Sequence, residues 1–171
     1  MEKYKCSVIL CGPAVGKTYL ANHDNRFVDI DQEKSKYKYG LDNCSIEELE
    51  KGKSNRGKVI NTDSNKYAIE LLEKTINSGK IALISYQEEI LNYVINNKIK
   101  YCLVYANINL REEYISRMKK RGNEDKFIND MTNEKTWISF YEKNKNDLKP
   151  TYKIELKEKE YLSDITEYFF D

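Results

Sequence analysis

The sequence predicts an α/β fold, a three-layer sandwich built around a mostly parallel five-stranded sheet. Two observations carry the prediction. Short continuous apolar runs recur along the 171-residue chain, the pattern of strands covered on both faces rather than one. Segments whose apolar residues fall three and four apart lie between those runs, so strand and helix alternate, and right-handed crossovers between parallel strands are the economical arrangement. The length suits one core, and no repeat or Pro/Gly-rich linker divides the chain, so residues 1–171 read as a single domain.

The first strand is Cys6 to Cys11, a run that stops at Gly12-Pro13. Tyr19-Leu20-Ala21 begins a brief helix that Asn22 to Asn25 ends, and Arg26 to Ile30 forms the second strand. From 32 to 65 the composition turns to Lys, Tyr, Asn, Ser and Gly, which reads as an insertion. Within it Ser45, with Glu48 at the capping-box offset, opens a short helix over Ile46 to Lys51. Ala68, Leu71, Leu72, Thr75 and Ile76 share the face of a helix spanning Asn65 to Asn77, which Ser78-Gly79 terminates. Lys80 to Ser85 is the third strand, and Ile90, Leu91, Val94 and Ile95 line the helix after it. Lys100 to Ala106 is the fourth strand, and Asn109 caps a helix carrying Leu110, Tyr114 and Met118. Phe127, Ile128, Met131, Lys135, Ile138 and Tyr141 mark one broken or two consecutive helices before Pro150. Tyr152 to Leu156 completes the sheet, and a helix from Ser163 to Phe169 closes the chain.

Charge excludes some functions. With 29 Lys+Arg against 28 Asp+Glu the net charge is +1, which argues against a protein that coats nucleic acid, while leaving room for a local basic cleft. No apolar run is long enough for a signal peptide or a membrane span, so a cytoplasmic protein with no membrane partner is expected. Cys6, Cys11, Cys44 and Cys102 have no C-x-x-C spacing and His23 is the only histidine, so structural zinc is not expected and the thiols read as reduced and packed in strands.

The chemistry concentrates between the first strand and the first helix, where Cys11 to Thr18 read C-G-P-A-V-G-K-T. This resembles the phosphate-binding P-loop, G-x-x-x-x-G-K-[ST], with Cys11 at the first glycine and Gly12 one place later. In such a loop backbone N–H groups turn inward around phosphate oxygens, a lysine meets the β- and γ-phosphates, and a hydroxyl meets Mg²⁺. Gly12, Pro13, Ala14, Val15, Gly16, Lys17 and Thr18 are the candidate ATP-binding residues. Downstream, Val28-Asp29-Ile30-Asp31 alternates so that both carboxylates lie on one side of a strand end. One of the two could serve Mg²⁺ and the other an acceptor hydroxyl, and the sequence leaves open which.

On these residues the chain is similar to the P-loop kinases of nucleoside monophosphate kinase, shikimate kinase and polynucleotide kinase type, and most of all to small phage-like nucleotide kinases. Asp29 and Asp31 match a D-x-D after the second strand of shikimate and gluconate kinases. The resemblance implies a Mg²⁺-dependent transfer of the ATP γ-phosphoryl group to a nucleotide or related small acceptor, with Thr18 and Asp29 at the metal. It also implies a lid over residues 110–126, in which Arg117, Arg121 and Gly122 are similar to the R-x-x-x-R-G element of these kinases. Planar, permanently charged arginine suits a γ-phosphoryl group in transfer. Lys17, Asp29, Asp31, Arg117 and Arg121 are thus the candidate catalytic residues, and Asp31, Lys34, Arg56 and Gln87 the candidate acceptor contacts, with 32–65 as the acceptor-binding insertion.

Two alternatives stand beside that expectation. A basic trench of Lys34, Lys36, Lys38, Arg56 and Lys58 would suit a polynucleotide end or a hydroxyl on a modified DNA base, with nucleic acid entering only as substrate. A nucleotide-binding regulator with no acceptor would use the same loop without turnover. Trp137 reads as core, and Tyr86-Gln87 as the start of a helix near the acceptor. Oligomeric state and the choice between ATP and GTP leave no mark in the sequence.

Overall fold

The computed structural model describes residues 5–30, 37–38, 59–60 and 63–170. In chain order the elements are β1 (Val8–Cys11), α1 (Lys17–His23), β2 (Phe27–Asp29), β3 (Tyr37–Lys38), β4 (Val59–Ile60), α2 (Ser64–Asn77), β5 (Ile81–Ile84), α3 (Glu88–Asn96), β6 (Tyr101–Ala106), α4 (Arg111–Lys120), α5 (Asp125–Thr132), α6 (Glu134–Asn146) and β7 (Tyr152–Leu156). A 3₁₀ turn (Ile108–Leu110) precedes α4, and 3₁₀ structure over Leu162–Phe169, broken at Ile165, replaces the last helix the sequence predicts.

Five strands make one parallel sheet in the order β2-β5-β1-β6-β7, with Leu10 opposite Ile84 on one side and Leu103 on the other. β3 and β4 pair antiparallel in a separate two-stranded unit, inside the stretch read as an insertion. The helix expected over Ile46 to Lys51 lies outside the described residues.

The uninterrupted apolar runs have the predicted cause. Every residue of β1 and β5 is buried, because alternate side chains enter opposite layers. Ile9, Leu83 and Val104 pack with Leu20 of α1 and Met118 of α4, whereas Leu10, Ile84 and Leu103 pack with Leu72 of α2 and Val94 of α3. Each fully buried Leu, Ile or Val contributes about 1.5–3 kcal/mol of transfer free energy. Helices therefore cover both faces. Cys6, Cys11 and Cys102 are buried thiols, and burial pushes the Cys6 and Cys102 thiols above their ordinary range, which makes them packing groups rather than nucleophiles. Among the described residues no helix is long and apolar enough to cross a membrane.

Two local expectations change. The capping side chain before α4 belongs to Asn107, which accepts from the Asn109 N–H at 2.9 Å, because the 3₁₀ turn starts two residues earlier than a plain helix would. Asn133 splits the long helical stretch in two by accepting from the Thr136 N–H at 3.0 Å, and α6 then turns a different face inward. Ile138 is 43% exposed, while Trp137, Tyr141 and Asn144, at i, i+4 and i+7, form the inner stripe.

Candidate functional site

Because the sheet is parallel, all five strands end on one edge. The connection from β1 leaves toward β2 at one side of the sheet and that from β6 toward β7 at the other, so the two diverge between adjacent strands. Divergence of this kind opens a crevice at the carboxyl ends of the strands, where ligands of open α/β sheets bind. The segment Gly12 to Gly16 sits at that crevice.

Its backbone is coiled. Ala14 has φ 60° and Gly16 φ 90°, both left-handed, and a Cβ on Gly16 would lie 3.4 Å from Cδ1 of Tyr161. Gly16 thus meets a conformational demand that only glycine meets without strain, while the Tyr161 ring leaves ordinary contact distance beside it. Val15 is buried, and its carbonyl accepts from the Leu162 N–H at 3.0 Å, pinning the loop to the segment after β7. Lys17 folds over the loop and donates from Nζ to the Gly12 carbonyl at 3.1 Å.

Thr18, in the first turn of α1, donates from Oγ1 to Oδ2 of Asp29 at 2.8 Å. Asp29 is 2% exposed, on the same face of β2 as Phe27. A hydroxyl has one proton and two lone pairs, so a Thr18 hydroxyl that donates to Asp29 keeps its lone pairs turned outward for a cation. Two hard oxygen donors this close fit Mg²⁺, which takes one or two protein ligands and completes its shell with phosphate oxygens and water. Among the described residues no group of three or more His, Cys, Asp or Glu is placed to hold a metal ion.

The two arginines of the expected lid differ. Arg117 is 8% exposed; Nη2 donates to the Glu160 carbonyl at 2.9 Å and Nη1 to Ala14 at 3.4 Å, and Nε donates to the Glu113 carboxylate at 3.0 Å. Its guanidinium also lies 3.8 Å from the Tyr161 ring centroid. Arg117 therefore ties the Gly12–Gly16 loop, α4 and the segment after β7 together. Arg121 is exposed at the C-cap of α4. Gly122, at φ 78°, closes that helix: its N–H donates to Lys119 at 2.9 Å and the Asn123 N–H to Met118 at 3.1 Å, a Schellman motif. Gly122 of the expected lid element thus has a role in helix termination.

Asp31, Lys34 and Arg56 lie outside the described residues, as does most of the 32–65 insertion. Gln87 is half-buried at the start of α3. Its neighbour Tyr86 instead lines a narrow cleft of about 60 Å³ against Gly12 and Pro13 of the loop. Tyr105, Trp137 and Phe140 supply further aromatic walls. The Tyr86 hydroxyl donates to Oδ1 of Asn144 at 2.7 Å, and burial raises the Tyr86 phenol well above its ordinary range, so it stays neutral and a donor. Tyr114 also lines the cleft and its hydroxyl has no hydrogen-bond partner, although the residue is buried. Sequence reading missed this cleft, since its residues come from six segments; the one available signal was a polar Asn144 on the inner stripe of α6.

No known protein-family model matches the chain, and no curated protein is significantly similar to it.

Proposed function

We propose that the chain is a Mg²⁺-dependent phosphotransferase that moves the γ-phosphoryl group of ATP to a small acceptor, as a P-loop kinase does. The observation that carries this reading is the Thr18–Asp29 hydrogen bond beside the coiled Gly12–Gly16 loop at the strand-end crevice. Left-handed residues at Ala14 and Gly16 turn loop amides to one side, the geometry of an anion-binding nest, and Lys17 is one side-chain rotation from that concavity. A Mg²⁺ held there would supply positive charge against the phosphates of a bound nucleotide. Thr18 would hold it, with Asp29 fixing the hydroxyl's orientation. Arg117 would keep the loop in shape from outside, and the exposed Arg121 would be the arginine free to reach a transferring phosphoryl group. Asp31, two residues beyond Asp29, remains the proposed acceptor-side carboxylate.

The test is transfer of labelled phosphate from ATP to a panel of nucleosides, nucleoside monophosphates, oligonucleotides and hydroxylated acids. A product that needs Mg²⁺ and disappears in Lys17→Ala is expected. Tight Mg-ATP binding with no acceptor product anywhere in the panel would overturn the kinase reading in favour of a nucleotide-binding regulator.

A further inference from the structure

The end of the sheet opposite the crevice carries a different chemistry. β6 and β7 are parallel neighbours, so their first residues lie together, and the Thr151 N–H donates to the Tyr101 carbonyl at 2.9 Å where the two strands begin. The chain leading into them is lysine-rich: Lys98 and Lys100 precede β6, Lys143, Lys145 and Lys149 precede β7, and Lys153 lies on β7. Register holds the two groups side by side, since Cys102 pairs with Tyr152, and Lys153 donates from Nζ to the Lys145 carbonyl. Lys153 is half-buried and the other lysines are exposed.

These cations are not matched locally. Over 96–101 and 143–154 the one carboxylate is Asp147, which is half-buried and accepts from the Lys149 N–H at 3.0 Å. Among the described residues none of these lysines makes an ion pair, whereas Arg26, Arg111, Arg117 and Lys159 do. The net charge of the whole chain is +1, so the corner is a cationic pole on a molecule whose remainder is net acidic. Helix dipoles account for Lys143 and Lys145, in the last turn of α6, but Lys100, Lys149 and Lys153 lie beyond the last turn of any helix. Lys98 closes α3 at φ 54°, a left-handed position that glycine takes freely and lysine only with strain.

The composition selects among polyanionic partners. Lysine is depleted from protein–protein interfaces, whereas lysine with exposed hydroxyl and amide side chains, here Thr151 and Asn96, is the set that binds phosphodiester oxygens. The exposed large apolar side chain of these segments is Leu148 alone, at 92%, too little to seat the corner in lipid. Single strands are held largely by stacking of bases on aromatic rings. Here Tyr101 is buried, Tyr141 lies under the Lys145 ammonium at 5.4 Å, and Tyr152 turns its hydroxyl to Cys6, so no ring is open to a base. A duplex presents phosphates without requiring one.

We propose that the corner formed by the entries to β6 and β7 docks the phosphodiester backbone of a nucleic-acid duplex without reading its sequence. The duplex is a partner and not a substrate, held about 20 Å from the crevice, the length of the six residues of β6. Docking here needs neither ATP nor an acceptor, so it goes beyond the kinase reading and stands apart from it.

The test is fluorescence anisotropy of a labelled, mixed-sequence DNA duplex of about 16 base pairs with the whole chain, between about 50 and about 200 mM KCl. A dissociation constant of about 10⁻⁵ M is expected at the lower salt, with log K falling against log[KCl] at a slope of about −3.6, for about four phosphates neutralised. The triple variant Lys98→Gln, Lys145→Gln, Lys149→Gln should weaken binding by about tenfold or more and flatten the slope to about −1. Lys66→Gln, Lys74→Gln, Lys126→Gln, which removes the same charge from exposed positions on α2 and α5, should leave both nearly unchanged. Lys149→Glu, outside every helix and strand, should alone weaken binding about fivefold, with the thermal melt at the parent value. No binding at the lower salt, equal loss in the two triple variants, or displacement of the duplex by a saturating non-hydrolysable ATP analogue overturns the proposal. So does tighter binding to vesicles of phosphatidylserine and phosphatidylcholine that the first triple variant loses, which would make the corner a lipid-facing surface.

Discussion

Arg117 and Arg121, four residues apart on one helix, are expected to respond to substitution in opposite ways. Replacing Arg117 with Leu removes a buried cation together with its bonds to Glu160 and Glu113, the long contact to Ala14, and the stacking on Tyr161. Breaking a buried pair costs about 3–5 kcal/mol when the partner charge is stranded. Here it is not stranded, because the Glu113 side chain stays 24% exposed and still accepts from the Lys159 N–H at 3.1 Å. The 3.4 Å contact to Ala14 is too long to count for much. The low end, about 3 kcal/mol, is therefore expected, which for a chain of this length lowers the melting temperature by about 6–12 °C. Arg117→Lys should lose about half as much, since one ammonium cannot span three acceptors. Arg121→Ala, at an exposed cap, should stay within about 0.5 kcal/mol of the parent and act only on phosphoryl transfer. Differential scanning calorimetry of the three variants decides the matter. An Arg117→Leu protein that melts within a degree of the parent, or an Arg121→Ala protein that melts lowest, would refute the clamp.

Other expectations follow from the same geometry. Gly16→Ala places a side chain at φ 90° against Tyr161 and should cost about 1–2 kcal/mol, measured by urea unfolding, along with weaker ATP binding by calorimetry. Thr18→Val removes the donor to buried Asp29 and should lower stability by about 1–2 kcal/mol, while abolishing the Mg²⁺ dependence of nucleotide affinity. Burial pushes the Tyr101 and Tyr105 phenols up to about 12, with Asp147 adding to the first and Glu155 to the second. A raised folded-state value means their contribution is complete below the unfolded value of about 10 and is lost as pH climbs toward 12, so the melting temperature should hold through pH 9 and fall above 10. A melting temperature that stays level from about pH 9 to about pH 11 would contradict this. Arg26 beside Asp24 holds that carboxyl below its ordinary range, so its contribution is present above about pH 4 and lost as pH falls through the lowered folded value. The pair is partly exposed, so Asp24→Asn should cost well under about 1 kcal/mol in the neutral-pH melt.

What was legible in the sequence is what depends on short range. Val8 to Cys11 and Ile81 to Ile84 announce parallel strands because a strand buried on both faces has no position left for a polar residue. The loop from Gly12 to Thr18 is legible for the same reason: left-handed turns and a lysine–hydroxyl pair need particular residues at fixed offsets, whatever surrounds them. That Thr18 and Asp29 lie together was suggested only by the resemblance that set both beside one metal ion, and their hydrogen bond is a finding of the structure. The tertiary structure alone decided how distant residues combine. Arg117 looks like a lid cation in a basic run, and only the approach of the segment after β7 makes it a buried clamp. Asn144, Tyr86 and Tyr114 carry no motif, being 58 and 28 residues apart along the chain; they come together in an aromatic cleft because α6 lies beside the Gly12–Gly16 loop. Helix periodicity names a face to about one residue, and α6 turned by that one residue is the difference between a stripe of core and a wall of the cleft beside the Gly12–Gly16 loop.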